Sequence, residues 1–291
     1  MYYILYNPLA GGGTGKSRSS ELESKLKGDK KFVDITLIED LPKYLKTLYE
    51  DDIIVLCGGD GTINRFVNSV DTDALENKVY YFAAGTGNDF LLDVADGKND
   101  IVDITRYLKN LPSVTVNGKT YKFINGVGYG IDGYCCEVGD KMREEGKGNI
   151  NYASIAVKGL LFGYEPKNAK ITVDGKTYNY KKVWLAPTMF GRFYGGGMLP
   201  APEQRRDNSE RTVSVMAFHG SGKLKSLIIF PSIFKGEHVK HQKTVTVISG
   251  KEIKVEFDKP TALQIDGETI LNVTQYSVNA AVALREKVGV M

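Results

Sequence analysis

Three glycine clusters punctuate the first third of the chain, and each follows directly on a short apolar run. YYILY leads into NPLAGGG, DIIVLC into GGDGT, and KVYYFAA into GTGND. A further apolar run, FVDITLI, lies between them, and the stretches Ser17 to Leu26 and Pro42 to Tyr49 have helical apolar spacing. Apolar strands alternating with amphipathic helices predict βαβ units and a mostly parallel sheet, with the ligand loops at the carboxyl ends of the strands. Glycine at such ends allows tight turns and lets a bulky anion approach the backbone. One such cluster is weak; three on one edge of one sheet predict a site.

Past residue 112 the texture changes. VTVNGKTYKF (114–123) and ITVDGKTYNY (171–180) alternate around Asn-Gly and Asp-Gly, the strongest short-range hairpin signal. Their flanks do not repeat, so the likeness is convergent turn chemistry rather than an internal repeat. Further alternating strands are expected at 212–218, 244–248, 252–257 and 262–265, with helical patterns near 134–145 and 150–162. The expected fold is therefore α/β in two domains: an N-terminal α/β nucleotide-binding domain over 1–118 with a mostly parallel sheet, and a β-rich, sandwich-like domain over 119–291.

Composition removes some classes of function. Hydrophobic residues make up 42% and charged residues 25%, as in a globular protein. A net charge of +3 gives no argument for nucleic acid, and suits anionic nucleotides or an anionic membrane surface. Cys57, Cys135 and Cys136 form no C-x-x-C and no paired framework, which favours a reducing compartment and hence the cytoplasm. Tyr2 to Leu5 is too short an apolar stretch for a signal peptide, and LIIFPSIF (227–234) falls short of the ~20 residues of a membrane span. No segment is expected to cross a bilayer. Self-association into a homodimer is left open by a single sequence.

AGGGTGKS (10–17) has the look of a phosphate-cradling P-loop, except that the first glycine of G-x-x-x-x-G-K-[ST] is Ala10. In GGDGT, a helix is expected to start near Thr62, whose hydroxyl can cap it, with Gly58, Gly59 and Gly61 opening the backbone to an anion. Asp60 is the odd member, because a carboxylate repels phosphate; Mg²⁺ between the two, directly or through water, gives it a reason to be there. The plainer reading of Asp60 is a turn former.

GGDGT after a strand resembles the nucleotide-binding signature shared by diacylglycerol kinases, sphingosine kinases, NAD kinases and phosphofructokinases. NPLAGGG resembles the opening of the diacylglycerol kinase catalytic domain, and GTGNDF (85–90) its second nucleotide loop. FINGVGYGIDG (123–133), GGGMLPAP (195–202) and QIDGE (264–268) resemble later landmarks of the same family, in order over nearly the whole chain. The resemblance implies phosphoryl transfer from ATP to a lipid hydroxyl, with Mg²⁺ required and ATP in the cleft between the two domains. It implies nucleotide contacts from Asn7, Pro8 and Gly11, phosphates held by Gly58, Gly59, Asp60, Gly61, Thr62 and Asn64, and Gly85, Thr86 and Asn88 near the nucleotide. Asp60 would join a magnesium–water network, and Glu268 would be the general base. Taken without the resemblance, Asp266-Gly267 is a hairpin turn flanked by an exposed Glu. The acceptor would be a lipid at the membrane surface, diacylglycerol first and a sphingosine-like lipid or phosphatidylglycerol as the alternative, met by a peripherally associated enzyme.

The sequence departs from the family twice. Arg65 stands where Glu is usual, putting a cation on the first turn of a helix where the dipole disfavours it. A bound polyphosphate or plain solvation would accommodate it. The Asp-Gly that helps bind a structural Mg²⁺ appears here within RRDNSE: Asp207 survives and the glycine does not. KGEHVKHQK, with His238 and His241, reads as a solvated basic patch, Cys57 as core, and one apolar face of 150–165 as packing. Four readings stay open: the lipid kinase, a true P-loop NTPase, an NAD kinase, and a non-catalytic nucleotide or lipid sensor. The second lacks a strand ending directly in an Asp for Mg²⁺, and leaves GTGNDF and QIDGE unexplained.

Overall fold

The computed structural model describes residues 1–85, 87–95, 101–146 and 152–280. Strands β1 (Tyr2–Tyr6), β2 (Lys30–Asp34), β3 (Ile53–Gly58), β4 (Val79–Ala83) and β5 (Ile101–Asp103) form one sheet in the order β2-β1-β3-β4-β5. The first four pair in parallel and β5 closes the edge antiparallel. The central strand β3 is buried from Ile54 onward, as an apolar strand covered on both faces should be. FVDITLI is strand only as far as Asp34. The Asp34 carboxylate accepts the Thr36 N–H at 2.9 Å and turns the chain into a 3₁₀ segment, Ile35–Leu37.

The second sheet holds β6 (Ser113–Val116), β7 (Lys119–Lys122), β8 (Gly126–Tyr129), β9 (Lys167–Val173), β10 (Lys176–Val183), β11 (Thr188–Met189), β12 (Val213–Phe218), β13 (Val245–Gly250), β14 (Glu252–Ile265) and β15 (Glu268–Asn279). Its order is β13-β12-β11-β8-β14-β15-β6-β7, with β9 and then β10 branching from β14. β14 pairs with β9 along Ile253–Phe257 and with β8 along Leu263–Ile265. One long strand thus serves two layers, and aromatic packing between Tyr129, Phe257 and Tyr276 fills the interior where it does so. This is the β-sandwich-like domain. The hairpin Ser113–Lys122, which straddles residue 118, lies wholly within this sheet.

Both predicted hairpins are present, with left-handed Asn117-Gly118 and Asp174-Gly175 at their tips. Two strand expectations need correction. The stretches 252–257 and 262–265 are one strand, and Pro260 falls where the pairing with β15 shifts register, so its missing N–H breaks no ladder. β15 was not anticipated, because ETILNVTQYSVN buries only Val273, Tyr276 and Val278 and leaves polar residues on the other face. The apolar run LIIFPSIF is helical: Lys223–Ile229 continues into a 3₁₀ segment, Phe230–Lys235.

The helix Ile131–Glu144 lies across β14, and Gly133 sets the distance between them. A Cβ there would stand 2.1 Å from the carbonyl oxygen of Ala262, a backbone atom that cannot swing aside. Gly133→Ala should cost about 1–3 kcal/mol through forced separation of helix and strand. Thermal melts should show a drop of several degrees, against almost none for Lys141→Ala on the exposed face of the same helix. An unchanged melting temperature for Gly133→Ala would contradict this packing.

Candidate active site

The glycine clusters meet at the carboxyl ends of β1, β3 and β4. Gly11 is left-handed at φ 60°, and a Cβ on it would lie 2.4 Å from the Ala84 carbonyl oxygen. A Cβ on Gly85 would lie 2.6 Å from the Gly59 Cα, so the second and third loops touch backbone to backbone. The Asn7 side chain accepts the Leu9 N–H at 3.0 Å and donates to the Thr62 hydroxyl at 3.3 Å, tying the first loop to the second. Pro8, in the first loop, is half-buried. Lys16, in the short helix Gly15–Ser20, is exposed.

The helix after GGDGT runs Asp60–Ser69, two residues earlier than expected, with Gly59 in extended conformation as its N-cap. Thr62 therefore caps nothing. Its hydroxyl packs against Gly58, where a Cβ would come within 2.2 Å of it. Arg65 accordingly sits on the second turn rather than the first, further from the positive end of the dipole.

Asp60 has a structural use that the sequence did not suggest. Its carboxylate accepts the backbone N–H groups of Asp89 at 2.8 Å and Phe90 at 3.3 Å, capping the helix Asp89–Ala95 that follows GTGN. Asp89 repeats the device one step on, accepting the N–H groups of Gly196 at 2.8 Å and Gly197 at 2.7 Å from the GGGMLP loop of the second domain. Asp93, on the same helix, pairs with Arg192 at 2.8 Å and with buried Arg206. Arg206 also bonds the Asn125 side chain at 2.7 Å and lies over the Phe90 ring. Asn88 is left-handed at φ 48°; its Nδ2 donates to the Gly85 carbonyl, and its buried Oδ1 has no partner among the described residues. Thr86 lies outside the described residues.

Asp266 is the corresponding anchor on the second domain. One carboxylate accepts from Ile124 at 2.7 Å, Asn125 at 2.8 Å and Gly126 at 3.0 Å, and from the Asn64 amide at 2.7 Å. Asn64 therefore faces the domain junction with its side chain bonded to Asp266. Asp266 sits at φ 46° in the turn to Gly267, so the hairpin reading of this pair was sound as far as it went. That turn presents Glu268. Its Oε1 lies 3.1 Å from the Arg65 guanidinium, and 3.8 Å from the point a Cβ on Gly61 would occupy. Residues two hundred positions apart in sequence thus place a half-exposed carboxylate over the GGDG loop.

Electrostatics sharpen the picture. Burial, and then the neighbouring Asp89 carboxylate, push Asp60 up to about 7. Burial raises Asp89 and Asp266 as well, against the backbone N–H bonds that pull them down. Deeper in the second domain, Asp132 is buried on the first turn of its helix and pushed up to about 6, again chiefly by burial. The buried Tyr194 hydroxyl faces its carboxyl, neither that hydroxyl nor the Asp132 Oδ1 makes a hydrogen bond of good geometry among the described residues, and a Cβ on Gly128 would fall 1.5 Å from its Oδ2. Gln264 connects Asp132 to the turn that bears Glu268, with its Nε2 3.5 Å from Asp132 and its Oε1 accepting the Gly267 N–H at 2.6 Å.

Two further expectations change. Asp207 is exposed, and no three His, Cys, Asp or Glu side chains converge as a metal cage among the described residues. What RRDNSE contributes here is Arg206, locked between Asp93 and the entry to β8. His238 is no part of a solvated patch: the 3₁₀ segment Glu237–Lys240 turns its ring inward, with Nε2 3.0 Å from the Pro200 carbonyl. Cys57 is core, as expected.

The diacylglycerol kinase catalytic domain matches residues 1–117, and the YegS C-terminal NAD kinase beta sandwich-like domain matches residues 125–284. The chain belongs to the diacylglycerol kinase catalytic-domain family. It is similar to a "Putative lipid kinase" of Staphylococcus aureus (strain Newman), 27% identical over 228 residues that cover 76% of this chain and 72% of the relative. It is also similar to "Putative lipid kinase YtlR" of Bacillus subtilis (strain 168), 25% identical over 94% of this chain and 95% of that protein. In fold it is similar to the crystal structure of a diacylglycerol kinase from Bacillus anthracis str. Sterne, with a TM-score of 0.64 at 21% identity over 96% of this chain and 93% of that one.

Asp132 gives this lipid kinase family member a pH signature. Its folded-state pKa of about 6 lies above the ordinary carboxylate value, so between roughly pH 4 and 6 the folded protein holds a proton that the unfolded chain has lost. Stability from this group is full below that window and is lost as pH rises through it. Asp132→Asn is neutral throughout, so it should gain melting temperature on wild type between pH 4 and pH 7. A constant difference across that range would show that Asp132 is ionised in the folded protein at all these pH values.

Proposed function

We propose that this chain is an ATP-dependent lipid kinase that transfers the γ-phosphoryl group of ATP to a lipid hydroxyl, most simply that of diacylglycerol, yielding phosphatidic acid. The observation that carries the proposal is the carboxylate of Glu268 beside Gly61, held by Arg65 at the lip of the GGDG loop. A lipid alcohol is a weak nucleophile, and a carboxylate within reach of it can orient it and accept its proton.

On this reading the phosphates lie against the backbone of Gly58, Gly59 and Gly61 at the start of the helix Asp60–Ser69, where free N–H groups and the helix dipole favour anions. The nucleoside is assigned to the adjoining cavity of about 510 Å³, lined by Ile35 and Ile38 together with Asn7, Thr62, Arg65 and Phe66. The Asn88 Oδ1 atom is an acceptor ready for a nucleotide hydroxyl or amine. Thr86 keeps its proposed place near the nucleotide from its position in the loop alone. When bound, Mg²⁺ neutralises charge that develops on the transferring phosphoryl group. Asp60 suits it only through water, since both carboxylate oxygens already accept backbone N–H groups. Glu268 takes the acceptor's proton as the hydroxyl oxygen bonds to the γ-phosphorus. The bond to the bridging oxygen breaks, and ADP leaves with that electron pair. The acceptor comes from a membrane surface, which the enzyme meets peripherally; no helix among the described residues is long and apolar enough to span one.

Glu268→Gln should keep fold and ATP affinity while cutting turnover on micellar diacylglycerol roughly 10²-fold or more. Near-normal turnover would reduce QIDGE to a hairpin. Lys16, exposed on its short helix, should matter little: Lys16→Ala should cost about tenfold at most, the loss of one partly solvated charge of roughly 1 kcal/mol. Asp60→Asn should cost far more, since it weakens the cap that fixes the GTGND helix and removes the negative charge. Both belong at saturating Mg²⁺, with melting checked first. The reverse order would favour a P-loop enzyme.

A further inference from the structure

Two neighbouring elements of the second domain carry apolar side chains that face water. In the helix Lys223–Ile229, Leu224 is 77% exposed and Ile228 is 79% exposed. They stand four residues apart and so share one face of the helix. In the turn Gly159–Gly163, Phe162 is 84% exposed. The two elements are packed together: the Lys223 ammonium donates to the Leu161 carbonyl at 3.0 Å, and Leu160 and Ile229 sit in one core beneath them. Phe234, at the end of the 3₁₀ segment that extends the same helix, is also exposed. Singly, such residues need no explanation; clustered on adjoining elements, they do.

Within the two segments that carry them the charges are of one sign, and exposed Glu165 and Glu237 lie just past their C-terminal ends. Residues 152–163 and 223–235 contain Lys158, Lys223, Lys225 and Lys235, all exposed, and no Asp or Glu. We infer that this surface is a docking face for an anionic lipid bilayer, with Phe162, Leu224 and Ile228 entering the headgroup boundary and the four lysines over the phosphates. An apolar tip ringed by lysines matches that interface in both polarity and charge. A second copy of the chain is a poorer occupant, because a two-fold contact through this face would set the lysines of one copy against those of the other. The inference names the surface by which the proposed lipid kinase would reach its acceptor, yet it stands on exposure and charge alone.

The test is sedimentation of the full chain with vesicles, without ATP, so that the result is independent of any catalysis. Wild type should partition onto phosphatidylglycerol–phosphatidylcholine vesicles far better than onto pure phosphatidylcholine, and less so as salt rises. Phe162→Ser/Leu224→Ser/Ile228→Ser should melt like wild type, since all three side chains are exposed, and should lose at least tenfold in partition. Replacing the four lysines with Gln should remove the preference for anionic vesicles while leaving the fold intact. Undiminished binding by the triple serine variant would overturn the proposal. So would a wild-type dimer in solution that the same variant converts to a monomer, which would make the face a self-association surface. Phosphoryl transfer to a short-chain, water-soluble acceptor separates this outcome from the kinase reading: the serine variant should retain it in full.

Discussion

The carboxylate of Asp266 fixes the junction of the fold's two halves beside the GGDG loop. Asp266 accepts N–H groups from three successive residues at the entry to β8, and at the same time the amide of Asn64 from the helix of the first domain. Hydrogen bonds to a charged group are worth about 1.5–3 kcal/mol each, and buried N–H groups deprived of their acceptor carry a comparable penalty. Glu268 stands two residues further on, across a tight turn. Its position over the GGDG loop is therefore a consequence of where Asp266 is held.

The same logic recurs through the junction. Asp60 caps the helix after GTGN, Asp89 on that helix holds the GGGMLP loop, and Asp93 on its next turn binds Arg206 and Arg192. GGDGT, GTGND and QIDGE thus each use an acid to fix the backbone of another motif. Burial raises the pKa values of Asp60, Asp89 and Asp266; repulsion from Asp89 and Asp266 adds to the rise at Asp60 and from Asp266 to that at Asp89, and the backbone donors offset only part of it. On the proposed reading, a cation arriving with the nucleotide would relieve the repulsion within this cluster.

Much of this architecture was legible in the residues. Apolar runs ending in glycine identified β1, β3 and β4 and the edge on which their loops meet, because parallel strands and glycine turns leave strong local patterns. Asn-Gly and Asp-Gly located two hairpins for the same reason. β15 escaped notice because a strand with one half-exposed face carries little apolar alternation. The partners of Asp60, Asp89 and Asp266 were illegible for a different reason: a carboxylate that binds distant backbone N–H groups looks in sequence like any turn-forming Asp. Arg65 and Glu268 show the same limit. Each seemed unremarkable or anomalous alone, and only folding makes them a pair. That pair is exposed on both sides, so it contributes at most about 1 kcal/mol to stability. On the proposed reading, what it contributes is the orientation of Glu268.

The most direct measurement of the central claim is transfer of label. γ-Labelled ATP with Mg²⁺ would be offered together with diacylglycerol, sphingosine, phosphatidylglycerol, polyprenol and NAD, and the label in each product counted. The account predicts label in a lipid product, foremost phosphatidic acid, and none in NADP. Label in NADP alone, or release only as inorganic phosphate whatever lipid is present, would contradict it.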